Sequence, residues 1–114
     1  MKRLLGAALV TLWPAMAPAE EVAMPEGCEV LDASDVIRVL VCAGPLDQAT
    51  LVQAGRAACG DVLPCGAWIW ADAADAPVTA PANHDGLTQA QVTSARGVWV
   101  AETQQFITID SVKE

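Results

Sequence analysis

Four cysteines and a single histidine are the residues of this chain with the most pointed chemistry. Cys28, Cys42, Cys59 and Cys65 follow the spacing Cys-x13-Cys, Cys-x16-Cys and Cys-x5-Cys. Zinc sites are built on short paired arms, and none occurs here; with His84 as the only histidine, a Cys2His2 set cannot form. A Cys-x-x-Cys redox motif is absent as well. An even number of cysteines in a small chain, outside either scheme, reads as two disulfides made in an oxidising compartment.

The remaining chemistry is sparse. The turn Asn83-His84-Asp85-Gly86 carries one imidazole among ligand-capable groups, and Asp72 or Asp75 could join it around a divalent ion. That spacing matches no ligand scheme, and Asn, Asp and Gly belong in a turn for conformational reasons, so neither a metal nor a cofactor is expected. Asp32 with Asp35, or Asp72 with Asp75, could act as the paired carboxylates of a small hydrolase. Aspartates in an acidic protein are more simply solvated surface. Ser34, Ser94 and Ser111 lack a Gly-x-Ser-x-Gly context. No catalytic residue is assigned.

Trp68 and Trp70 stand two apart, so on a strand they share one face. Exposed, they would make a binding platform together with His84 and Asp85. Buried, they would supply much of the bulk of a core poor in large residues, and burial against helices is the expectation. Gly55, Ala58 and Ala95 would supply the room.

These residues need elements to hold them. Val36 to Cys42 is rich in β-branched residues and ends before Gly44-Pro45, which predicts a buried strand. Asp47 then opens a helical pattern in which Leu51, Val52, Gly55, Ala58 and Cys59 share a face, with Gly60 as its stop. Ala67 to Ala71 is a second strand candidate. Residues 72–86 lack periodicity and read as a surface loop. Thr88 and Gln91 form a capping box and Leu87 can staple onto Val92, so a second helix should carry Val92, Ala95 and Trp99 on its apolar stripe. Phe106 to Ile109 closes the order strand, helix, strand, helix, strand. That order predicts a small α/β or α+β two-layer sandwich, with both helices on one face of a three-stranded sheet.

The same topology predicts the disulfides. If the first two strands run parallel, the first helix separates Cys42 from Cys59 by roughly 17 Å, beyond the ~7 Å reach of a bridge. The same argument separates Cys42 from Cys65, which begins the second strand, so Cys28 pairs with Cys42 and Cys59 with Cys65.

Lys2 and Arg3, an apolar run from Leu4 to Leu12, and Ala17-Pro18-Ala19 have the layout of a signal peptide cut after Ala19. Residues 20–27 read as a flexible N-terminal arm and 28–114 as one disulfide-stabilised domain. The chain has 114 residues and a net charge of -8, and cleavage would raise the acidic excess by two charges. Such a balance disfavours nucleic acid, and stable membrane insertion after cleavage is not expected. The leading expectation is a non-enzymatic accessory or protein-binding module of the bacterial periplasm, an inhibitor or immunity-type protein being one form of it. Its partner would be another exported protein with a basic surface. Thiol–disulfide exchange through Cys59 and Cys65 is the alternative, and a carboxylate-dependent hydrolase the second alternative.

Overall fold

The computed structural model describes residues 22–109; the expected signal peptide, residues 1–19, lies outside them. The strands are β1 (Cys28–Ala33), β2 (Ile37–Cys42), β3 (Gly66–Trp70), β4 (Gly97–Val100) and β5 (Gln105–Thr108); the helices are α1 (Gln48–Cys59) and α2 (Gln89–Ser94). The strands form one sheet in chain order, with β2 and β3 parallel and every other pair antiparallel. The fold is therefore α+β with five strands, and the expected three-stranded sheet is corrected.

Two strands escaped the sequence pattern for different reasons. β1 is an edge strand on which only Cys28 is buried, so Glu29 and Asp32 interrupt any apolar run. β4 holds Val98, Trp99 and Val100, and Trp99 also fits the apolar stripe of the expected second helix. That helix stops at Ser94, and the β-branched residues and Trp99 go into the sheet, where β4 pairs with both β3 and β5.

The helices do not share a face. α1 starts at Asp47, whose carboxylate accepts from the Thr50 backbone, and ends at Gly60 with φ 58°. It lies over Leu40, Cys42, Ala67, Ile69 and Trp99. Gly55 permits this approach, because a Cβ there would collide with the Cβ of Trp99. Trp99, rather than Trp68 or Trp70, thus fills the room that Gly55 leaves. At the helix end, Arg38 donates to the Ala58 carbonyl and also to Ser34, placing a cation where the helix dipole favours one.

The opposite face buries Ile37, Val39, Val41, Trp68, Trp70 and Val98 beneath the irregular segment 71–96. Within this segment Ala80, Leu87 and Ala95 are buried; residues 72–86 are mostly exposed, as a surface loop should be, and cover the sheet face through Ala80. Side chains from the β1–β2 hairpin secure it: Asp32 accepts from the Ala80 N–H and Ser34 donates to the Pro81 carbonyl. Backbone polar groups in an irregular layer need such partners, since no ladder supplies them. The capping box of Thr88 and Gln91 forms as expected.

Both expected disulfides are present. Cys28 and Cys42 face each other across the β1–β2 pair, with Cα atoms 4.0 Å apart. Cys59 and Cys65 join the end of α1 to the start of β3 over 5.9 Å. Segment 22–27, expected as a flexible arm, contacts the body: Gln53 donates to the Ala23 carbonyl and Met24 packs on the α1-side core.

Candidate functional site

Alternation along β3 turns Gly66, Trp68 and Trp70 away from α1. Both indoles are buried, with rings 6.3 Å apart and 26° from parallel. Each N–H is satisfied from the covering layer: Trp70 donates to the Gln91 carbonyl at 2.9 Å, and Trp68 donates to His84 Nδ1 at 2.8 Å. His84 lies so close over Gly66 that any Cβ there would strike its ring. The structure thus brings together three of the sequence-selected residues, Trp68, Trp70 and His84, as a packed cluster. Asp85 sits in the same short turn as His84 and is exposed.

The Trp68–His84 bond constrains the histidine chemically. An indole N–H only donates, so Nδ1 must present a lone pair and the neutral imidazole carries its proton on Nε2. In this tautomer His84 offers no free lone pair to a metal. Nearby, Glu102 accepts the Cys65 N–H at 3.1 Å. That bond, followed by the backbone N–H of Glu102 itself and the neighbourhood of His84, holds the Glu102 carboxyl below its ordinary value.

One aspartate of each pair has structural work. Asp32 holds Ala80, as above, and Asp72 caps the short turn Ala73–Asp75 by accepting from the Ala74 N–H. Among the described residues, no group of three or more His, Cys, Asp and Glu side chains could hold a metal ion.

A feature the sequence did not disclose lies at the pole where α1 ends and β3 begins. Cys59 and Cys65 are both buried, while every residue of the intervening segment 60–64 is exposed. Val62 is 43% exposed and Leu63 64%. The disulfide closes this segment, the Val62 N–H donates to the Cys59 carbonyl, and Glu102 secures the Cys65 end. The result is an exposed tip, pinned at both ends, that carries two aliphatic side chains and Asp61, with Glu102 bonded at its Cys65 end. The sequence signal for it was the short Cys-x5-Cys interval, which bounds a loop too small to fold back onto the core.

Beside the tip lies an open groove of about 570 Å³ whose lining includes Arg56, Asp61, Trp99 and Gln104. The Arg56 guanidinium sits 5.4 Å from the Trp99 ring centroid, a cation–π arrangement that holds the charge at the groove wall. Gln104 has φ 57°, uncommon for a residue with a side chain, and its side-chain amide donates to the Ala101 carbonyl. No family model, curated protein or solved structure matches this chain significantly.

Proposed function

We propose that this chain is a small exported protein-binding module of the bacterial periplasm that contacts its partner through the disulfide-closed tip 60–64. The observation that carries this reading is the exposure of Val62 and Leu63 on a segment whose two ends are buried and bonded. The exposed part of these aliphatic side chains adds nothing to the free protein, whereas taking such a side chain fully from water into a partner contributes up to roughly 1.5–3 kcal/mol. Pinning the loop beforehand reduces the ordering cost of binding. An exposed apolar tip flanked by Asp61 and Glu102 would suit an apolar pocket with a basic rim, as an inhibitor or immunity-type protein would use.

Two disulfides, together with no helix among the described residues long and apolar enough to cross a membrane, are consistent with export. Thiol–disulfide exchange has less support. Cys59 and Cys65 are buried, Cys59 ends a helix, and the Glu102 carboxylate lies on the Cys65 N–H; each of these disfavours a thiolate. A carboxylate hydrolase has less again, because Asp32 and Asp72 are engaged with backbone amides.

The test is a photoreactive residue at position 63 in exporting cells, with position 78 as control, since Val78 is 94% exposed elsewhere on the molecule. The expected result is a discrete adduct at 63 and none at 78. The captured protein, purified, should bind the wild-type chain stoichiometrically, more weakly in salt, and Leu63→Asp should weaken binding at least about tenfold. Equal capture at both positions, or unchanged affinity for Leu63→Asp, refutes the reading.

A further inference from the structure

We propose that His84 is a proton-operated latch: on gaining its second proton it releases the indole N–H of Trp68 and leaves its seat on Gly66. The inference does not depend on the protein-binding reading.

The argument is geometric. Trp68 Nε1 and His84 Nδ1 are 2.8 Å apart, and the indole is the donor. Protonation places a second N–H on Nδ1, so two donors face one another with no acceptor between them. One side must move. Trp68 is held by β3 pairing on both sides and by stacking on Trp70, and it is 7% exposed. His84 lies in an exposed three-residue turn and has solvent beside it. The histidine is therefore the moving part. Its departure opens the space over Gly66 that a Cβ would otherwise fill.

The charged groups facing His84 are few. Glu102, from the β4–β5 turn, is close enough to feel its charge, and Asp85 follows it in its own turn. β3 presents only Gly66 and Trp68 to the ring, neither of them charged. Glu102 is already engaged by the Cys65 N–H. A buried indole N–H without an acceptor must then admit water or exchange freely.

Because the chain contains one histidine, its titration can be followed without assignment ambiguity. The experiment is a pH series of NMR spectra on the disulfide-intact protein, recording the His84 Cε1 signal and the tryptophan indole N–H signals, with Trp68 identified by Trp68→Phe. The Trp68 indole signal should shift with the same midpoint as His84 Cε1 and lose its protection from solvent exchange below it, while those of Trp70 and Trp99 hold still. In His84→Gln, whose side-chain oxygen accepts at every pH, the Trp68 transition should vanish. A His84 titration that leaves the Trp68 signal and its protection unchanged overturns the latch. So does a Trp68 transition that persists in His84→Gln.

Discussion

The two faces of the sheet are covered in opposite ways. On one, a regular helix lies close because Gly55 and Ala54 are small, and all four cysteines belong to that core. On the other, an irregular segment covers two tryptophans and is held by hydrogen bonds: Asp32 to Ala80, Ser34 to Pro81, Trp68 to His84 and Trp70 to Gln91. A helix satisfies its own backbone, so its face needs only shape, with one disulfide tying the end of α1 to β3 and the other joining β1 to β2 beneath it. An irregular layer cannot, so its face needs side-chain partners and bulky rings to exclude water. The covalent face is expected to resist opening, and the hydrogen-bonded face to open first.

The largest expected effect tests the second face. Trp70→Ala removes a fully buried ring and the bond to Gln91, and should cost about 3–5 kcal/mol in denaturant titration. Hydrogen exchange on the same variant should show residues 72–95 losing protection ahead of α1. A loss below roughly 1 kcal/mol, typical of surface positions, would mean that the ring does not carry this face.

Removing the clamp nearest the sheet edge should rank next. The double change Cys28→Ala with Cys42→Ala frees a 14-residue separation and should cost about 3 kcal/mol, read from the same titration. Should it cost more than Trp70→Ala, the contrast between a covalent and a hydrogen-bonded face would have its weights reversed.

The fit of α1 to Trp99 sharpens the first face. Gly55→Ala forces a methyl group against the Trp99 side chain and should cost about 1–3 kcal/mol by overpacking. A gain in stability, as expected from helix propensity alone, would show that the helix has room to withdraw.

The smallest effect is a pH dependence at the junction of the two faces. The Glu102 carboxyl is held below its ordinary value of 4.5, chiefly by the Cys65 N–H. Its contribution to stability is therefore present in full above 4.5 and is lost as pH falls through the lower folded value. Thermal unfolding of Glu102→Gln against wild type should show a difference that shrinks on that acid side. A difference that stays constant with pH would mean that the charge on Glu102 contributes nothing there.

Much of the local structure was legible in the residues. Asp47 and Gly60 bound α1, Thr88 and Gln91 cap α2, and the run from Val36 to Cys42 yields β2 at Ile37–Cys42. These are decisions made within a few residues by caps and β-branching, where no distant contact intervenes. The disulfide pairing followed from a single topological premise, β2 parallel to β3, which holds. Trp68, Trp70 and His84 meet, but as a packed cluster with both indoles buried, whereas the sequence pattern does not single out Glu102, Arg56 or the exposed tip at Val62 and Leu63.

By itself, then, the amino-acid sequence determined where α1 starts and stops and where α2 starts, that the cysteines pair, and that the two β3 tryptophans share a face. Only the tertiary structure decided which face each helix covers, that Val98–Val100 is strand rather than helix, and that segment 71–96 closes the tryptophan face. The physical reason lies in what each choice weighs. A cap or a β-branched run is scored against its own neighbours. Trp99 could satisfy a helical stripe or a strand equally well, and only pairing of β4 with both β3 and β5, together with the gap at Gly55, resolves the choice.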